Sequence, residues 1–472
     1  MGSEGDEMTD TETTRTRTTD PSDDDLRGID VEAAVAPISR PVDVTATAIG
    51  VPGPGPTRIP AARYTDPAFA ELEAKELWPR VWQIACTVDH VAQPGDLFEL
   101  RCGRLSVLVV RGDDGVLRAF QNACRHRGNS LCEGMTSGLT ELRCPFHRWT
   151  WDLAGQLREV PSRRGFGVLR NEDLPLVPVA VDEWGPLVFV NLDPDAAPLL
   201  DFLDGIPDDT AGARLDEFRC VVTTSTPVAA NWKVVSDGFS ETYHIQGLHR
   251  EMLGSVDDVH AHQHLWEHHG VSYQRYGVPS PRLGRSVDDE AIWDSFVLTQ
   301  GGRMGPQYTA GTPMPAVPDG ASIRDVMADI LRRQQARLGA DMSDFDTEQV
   351  MNLAQYNLFP NATVLVWGEM INVILSRPGP TPDKAELHTY LLLRHHADAP
   401  RSQPAAVDVA EDGDLGWILN QDTSVLASMQ RGLHQPGFTH LLLSSEECRI
   451  ANLHRNLERT LGIGPDDPAP SA

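Results

Sequence analysis

Nowhere in the 472 residues is there an apolar run near the about 20 residues that span a bilayer. The N-terminus lacks the basic n-region and apolar core of a secretory leader and is acidic and Thr-rich instead. The expectation is a cytoplasmic protein with no membrane contact. Basic residues are scarce: 40 Lys and Arg stand against 68 Asp and Glu, a formal charge of -28. Phosphate backbones are bound by basic faces, so nucleic acid is excluded as a partner. An acidic surface favours solubility and suits a basic protein partner. Cysteine is sparse and odd in number: Cys86, Cys102, Cys124, Cys132, Cys144, Cys220 and Cys448. In a long chain without an export signal this argues against a disulfide framework and for metal binding or plain burial.

What is present is enough apolar residue, 40%, for two or three domains. Residues 1–60 read as a disordered acidic tail ending in the linker Gly50-Val51-Pro52-Gly53-Pro54-Gly55-Pro56. Thr65-Asp66-Pro67 is a helix start leading into Phe69–Trp78. Residues 61–192 then form an all-β module, with short runs such as Leu105–Val110 and Leu187–Val190 separated by turns. Residues 193–465 have an α+β texture. Cys220–Pro227, Thr363–Trp367, Met370–Leu375 and Leu387–Arg394 read as strands. Trp232–His249, Ser322–Leu338, Leu415–Leu433 and Glu446–Leu461 read as helices.

Two short loops inside the β module carry metal-type residues. Cys124-Arg125-His126 and Cys144-Pro145-Phe146-His147 each offer one thiolate and one imidazole. A [2Fe–2S] centre with two thiolates on one iron and two imidazoles on the other needs that set. The competing reading is a Cys2His2 zinc site, but zinc fingers pair cysteine with cysteine and histidine with histidine. The stretches Cys124–Asn129 and Cys144–Gly155 resemble the cluster loops of Rieske-type, aromatic-ring-hydroxylating oxygenases. Respiratory Rieske proteins carry an extra cysteine in each loop; here Phe146 stands at one such place and Cys132 lies too far along. Arg125, Arg127 and Arg148 flank the candidate ligands Cys124, His126, Cys144 and His147, as docking residues or as solvated loop charges.

The second constellation runs from Asn231-Trp232-Lys233 to His244 and His249. Two histidines and one carboxylate with open positions make the facial triad of non-haem Fe(II) oxygenases. A lone His-x4-His pair is weak evidence, but the stretch resembles the same family throughout. The third ligand implied is Asp422, at the family's offset before Gln430-Arg431-Gly432-Leu433. Helical spacing places it on one face with Val425, Met429 and Leu433. Asp414, and behind it Asp412, are the runners-up. The resemblance makes Glu241 the acidic bridge between a cluster histidine of one subunit and an iron ligand of the next, with Asp237 a further acidic candidate. His260, His262 and His264 alternate and read as one polar strand face.

The resemblance covers residues 64–460. It implies an α+β architecture: an N-terminal all-β Rieske domain, then a helix-grip (START-like) catalytic domain with an antiparallel sheet. It also implies a [2Fe–2S] cluster, a mononuclear Fe(II), O2 as co-substrate, and NAD(P)H acting through a ferredoxin or flavin reductase. The expected assembly is a homotrimer or a multiple of it, with or without a small β subunit. The expected substrate is a hydrophobic small molecule, aromatic or polycyclic, that is mono- or dioxygenated. The rival reading is a Rieske electron carrier with an attached non-catalytic binding domain, which would leave His244, His249 and Asp422 without a task.

Overall fold

A computed structural model describes residues 57–467. The N-terminal tail therefore lies outside the described residues except for its end. The linker, residues 50–56, lies outside the described residues as well, and Thr57–Pro60, at the end of the expected tail, is a strand paired antiparallel with His440–Leu443. Ile59 has an apolar neighbourhood to fill and is 2% exposed. After a single turn at Ala62–Thr65, the helix Pro67–Leu72 starts as the sequence says. Asp66 caps it by accepting from the Ala68 N–H, and Pro67 occupies its first turn.

The β module is a seven-stranded sheet with a three-stranded sheet beside it. The larger sheet orders Gln83–Thr87, Leu187–Asn191, Pro178–Trp184, Leu117–Gln121, Leu105–Arg111, Leu97–Cys102 and Met135–Thr136. The smaller comprises Leu142–Arg143, Thr150–Trp151 and Leu157–Glu159. The core under the metal-type loops packs Leu97, Leu108 and Phe120 against Trp149 and Trp151.

The second domain is built on an eight-stranded sheet. Its order is Val256–Leu265, Gly270–Tyr276, Leu353–Leu358, Ala362–Val366, Met370–Pro378, Ala385–Arg394, Phe218–Val228 and Ala405–Asp408. All pairs are antiparallel except the last, which is parallel. Helices Asp289–Met304, Ile323–Arg337, Trp417–Leu433 and Cys448–Leu461 accompany it. The two domains share a core: Trp82, Ile84 and Phe189 of the β module pack with Phe218, Tyr356 and Val364 of the large sheet. Among the described residues no helix is long and apolar enough to cross a membrane.

One expected helix is broken. Trp232–His249 is helical only over Trp232–Gly238 and Ile245–Leu248. Glu241 ends the continuity because its side chain, not a backbone carbonyl, accepts the His244 N–H. The first segment is locked from below. Asn231 caps it by accepting from the Lys233 N–H. The buried Lys233 ammonium lies 2.6 Å from Glu73, whose other oxygen accepts from the Trp232 indole. Asn231-Trp232-Lys233 thus serves as the anchor of the segment that carries the candidate ligands.

Candidate metal centres

The two cysteine loops are one backbone motif built twice. Cys124 N–H donates to the Asn129 carbonyl, and Gly128 N–H donates back to Cys124. Cys144 N–H donates to the Trp149 carbonyl, and Arg148 N–H donates back to Cys144. Both cysteines are buried and reduced, and the histidines sit nearer the surface. The His126 and His147 rings meet edge to face, with centroids 4.8 Å apart and an interplanar angle of 70°. Trp149 stacks on His126 at 5.1 Å and an interplanar angle of 5°. Asn122 holds the first loop from beneath, its amide oxygen accepting from Leu131 N–H and its amide N–H donating to the Cys132 carbonyl.

This donor set fits the [2Fe–2S] group. His126 Nδ1 is buried without a hydrogen-bond partner among the described residues, a costly state for an imidazole unless a metal takes the lone pair. Burial raises the Cys124 thiol pKa, and neighbouring Cys144 raises it further, so the Cys124 sulfur resists ionisation without a cation. Arg125, Arg127 and Arg148 are exposed around them, with Phe146 57% exposed at the tip.

The second constellation closes across 173 residues of sequence separation. One ligand atom each from His244, His249 and Asp422 lies within 4.8 Å of the others. Each imidazole is pinned through Nδ1. His244 Nδ1 donates to Glu241 Oε1 at 2.6 Å, and His249 Nδ1 donates to Gln421 Oε1 at 2.7 Å. That fixes the tautomer and leaves both Nε2 atoms as bare lone pairs. Those lone pairs face a carboxylate: Asp422 Oδ1 is 2.7 Å from His249 Nε2 and 3.7 Å from His244 Nε2. Three converging electron-pair donors repel one another unless a cation sits among them, so the residues fit a mononuclear Fe(II). Burial opposes protonation of His244, yet the Glu241 bond and charge and the Asp422 charge raise its pKa overall, a sign of a site that favours positive charge.

Asp422 faces inward, but not along the stripe the spacing indicated. Its buried companions are Leu426, Gln430 and Leu433, while Met429 is 46% exposed and Val425 only half-buried. Asp414 and Asp412 are exposed; Asp414 accepts from Gly416 N–H and the Asn420 amide as a turn residue. Asp237 does not join the triad. It accepts from Tyr64 Oη at 2.6 Å, and Tyr64 contacts His454 Nε2 at 2.7 Å. His260 and His262 lie on the exposed face of their strand and His264 is half-buried there; His269 instead is buried against the Phe202 carbonyl and the Phe359 N–H. Gln421 was missed from the sequence because a neutral amide next to Asp422 carries no ligand signature of its own.

A cavity of about 240 Å³ opens beside the triad. His244, His249 and Asp422 share its lining with the rings of Phe239, Tyr276 and Trp367 and with Arg303. Glu241 lines both this cavity and a second one, of about 330 Å³, between Tyr64, Asp237, Met429 and Phe438.

Comparison with known proteins joins these observations. Residues 215–463 match the family described as ring hydroxylating alpha subunit (catalytic domain), and residues 81–178 match the Rieske [2Fe-2S] domain. The glycine betaine monooxygenase oxygenase subunit of Chromohalobacter salexigens is 30% identical over 280 residues, 54% of this chain and 61% of its own length. The chain thus spans about three fifths of that relative's length. A quaternary ammonium Rieske monooxygenase involved in carnitine oxidation superposes with a TM-score of 0.61 at 19% identity, over 86% of this chain and 95% of its own. Naphthalene 1,2-dioxygenase from Rhodococcus sp. superposes equally well, TM-score 0.61 at 20% identity, over 86% and 94%. At such identities the superpositions speak for the fold alone.

Proposed function

The chain belongs to the ring-hydroxylating alpha-subunit family, with a Rieske [2Fe-2S] domain ahead of its catalytic domain, and on that premise we propose that it is an O2-dependent oxygenase acting on a small N-methylated, quaternary ammonium substrate. Cys124, Cys144, His126 and His147 would hold the cluster, and His244, His249 and Asp422 the Fe(II). When bound, the cluster supplies single electrons and the iron supplies an open position for O2. The observation that carries the reading is the pinning of both histidines through Nδ1 with their Nε2 atoms turned onto one carboxylate. An electron carrier has no use for that arrangement.

The chain's own residues have definite tasks. Glu241 and Gln421 orient the two imidazoles. Phe239, Tyr276 and Trp367 keep the cavity largely apolar, which limits water at the oxidised carbon and gives a methylammonium group ring faces to lie on. Glu241 lines both cavities, and its role as a bridge to a neighbouring copy in a trimer rests on the family reading. Exposed Arg125, Arg127 and Arg148 suit an acidic ferredoxin or reductase.

The substrate class departs from the aromatic expectation. Relatives named for glycine betaine and carnitine support the ammonium class, whereas the fold serves naphthalene oxidation equally well and cannot select. The test is a single turnover. Chemically reduced, iron-replete protein is mixed with O2 and a panel of quaternary amines, polycyclic aromatics and aryl ethers. Formaldehyde and a demethylated amine, or a hydroxylated amine, support the reading. A cis-diol from an aromatic overturns the substrate class. Absence of any mononuclear iron after reconstitution overturns the oxygenase.

A further inference from the structure

In a continued helix the Phe239 carbonyl would accept from the Tyr243 N–H, four residues on. Helix Trp232–Gly238 stops instead, with Phe239 as its C-cap, and the large sheet takes over the carbonyl. Three side-chain donors converge on it: Gln355 Nε2 at 2.5 Å, Asn357 Nδ2 at 3.0 Å and Thr363 Oγ1 at 3.3 Å. Asn357 Nδ2 also lies 3.1 Å from the Ser240 hydroxyl. Strand geometry explains the convergence. Gln355 and Asn357 stand two residues apart on Leu353–Leu358 and so share one face. Thr363, on the adjacent strand Ala362–Val366, pairs directly with Asn357.

Both amides are aimed from behind. Gln355 Oε1 accepts from Gln274 Nε2 at 2.6 Å. Asn357 Oδ1 accepts from Arg449 Nη1 at 2.9 Å. A guanidinium only donates, so the Asn357 oxygen must face Arg449 and its NH2 must face Phe239. Arg449 holds this position at a cost. It is 2% exposed and has no ion pair among the described residues, and its Nε and Nη2 are buried without hydrogen-bond partners among them. Burial lowers its pKa to about 10. An unpaired buried cation is expensive; in return it fixes the amide that holds the start of the ligand-bearing segment.

We propose that Gln355, Asn357 and Thr363, aimed by Arg449, are positioning residues for the mononuclear site: by gripping the Phe239 carbonyl they set the pose of Glu241 and His244. The proposal rests on the reading of His244, His249 and Asp422 as iron ligands, and adds that their segment hangs from the sheet. Phe239, Gln274 and Gln355 line the cavity beside the triad, so the grip is also part of its wall.

Two readouts keep the grip and the iron reading apart. One is amide hydrogen exchange across residues 240–249 in the metal-free full chain. The other is Fe(II) affinity, with the EPR line shape of the nitric oxide adduct, in the metal-loaded chain. Asn357→Asp is isosteric, keeps an acceptor for Arg449 and removes the donor to Phe239. Arg449→Met removes two unpartnered nitrogens and frees the amide to turn. Thr363→Val is the mildest change and stands in should either of these fail to fold. Leu203→Ala, in the core shared by the two domains, is the destabilised control. In Asn357→Asp and Arg449→Met exchange is expected to quicken about fivefold or more, as for one lost hydrogen bond. Iron affinity should fall about tenfold or more, with a changed adduct signal and unchanged cluster absorbance. Arg449→Met should do this without a lower thermal melt, a split that a merely structural residue would not give. Leu203→Ala should lower the melt and leave the adduct signal alone. Unchanged exchange overturns the proposal, as does faster exchange with wild-type iron affinity and signal, or a signal change that Leu203→Ala shares. Faster exchange in the variants of a chain that binds no mononuclear iron supports the grip and overturns the iron reading.

Discussion

Gly128 and Arg148 hold the same step of two copies of one loop. Each lies four residues beyond its cysteine, each returns an N–H to that cysteine's carbonyl, and each takes the left-handed conformation, at φ 77° and 65°. Glycine adopts it freely; arginine carries strain of about 1–2 kcal/mol. Space is not the constraint at Gly128, where an added Cβ meets nothing within 4 Å. Gly128→Ala is therefore expected to lose about 1 kcal/mol and to keep the cluster. Arg148→Gly is expected to be neutral or slightly stabilising, because relief of strain opposes the added chain entropy. Visible absorption of the cluster and thermal melts read both. Loss of the cluster in Gly128→Ala would show that the loop needs more than the backbone angle.

The triad separates from the cluster by mutation. Asp422→Ala removes the acceptor that faces both Nε2 atoms, and should empty the mononuclear site while the cluster spectrum persists. Gln421→Leu leaves the ligands intact but frees the His249 ring. Its expected effect is iron affinity weakened about 10–100-fold, the usual cost of losing such an orienting partner. Iron quantified beside cluster absorbance checks both variants. A cluster lost with Asp422→Ala would refute the assignment of Asp422 to a separate site.

Glu241 makes two bonds to one residue, accepting from the backbone N–H and from Nδ1 of His244. Glu241→Gln can satisfy only one of these as acceptor. If the carboxylate also conducts between subunits, both metals stay loaded while multiple turnover collapses by about two orders of magnitude or more. Normal turnover in Glu241→Gln would remove it from the route.

The sequence disclosed what depends on residue identity and spacing. Cys-x-His and Cys-x-x-His, His-x4-His and the offset of Asp422 before Gln430-Arg431-Gly432-Leu433 are local patterns, and the structure brings His244, His249 and Asp422 together, although the predicted stripe was right only at Leu433. It was silent where the determinant is a tertiary accident of partnering. Gln421 and Arg303 look like ordinary polar residues on helices until the chain folds and one acquires a histidine while the other is left with two idle nitrogens. The break at Phe239–His244 was hidden because helical periodicity continues through it; only the competition of the Glu241 side chain for the His244 N–H ends the helix. The strand Thr57–Pro60 was hidden by its glycine- and proline-rich neighbours, since its pairing partner lies at His440–Leu443.

The Lys233–Glu73 pair underlies the same segment. Burial drives both towards neutrality, Glu73 upward and Lys233 downward, so the pair survives only by its mutual attraction and the Trp232 bond. Lys233→Met leaves a lone buried carboxylate and should cost about 3–5 kcal/mol. Adding Glu73→Gln, which still accepts from the Trp232 indole, should recover most of it. Denaturant melts of the single and double variants decide; a double variant as weak as the single would mean that packing of the lysine stem, not its charge, matters.

Asp237 gives the protein a pH dependence of readable sign. Burial, opposed by the Tyr64 bond and the Lys233 charge, pushes its carboxyl up to about 7. One of its oxygens has no partner among the described residues, so ionisation there is poorly compensated. The network behind it is Tyr64, then His454, held neutral by burial and by Arg63. In the unfolded chain the same carboxyl ionises near 3.9. Between about pH 4 and pH 7 the native state keeps a proton that the unfolded state has lost, so stability from this group falls as pH rises and levels off above about 7. The full span is a few kcal/mol at most. Asp237→Asn keeps an acceptor for Tyr64 and cannot ionise. Relative to wild type it should therefore gain stability from pH 5 to about pH 7 and level off by pH 8. Other titrating groups contribute alike to both proteins and cancel in the difference. A difference that stays constant over that range would show that Asp237 is already charged in the folded protein at pH 5, with Lys233 rather than burial setting its state.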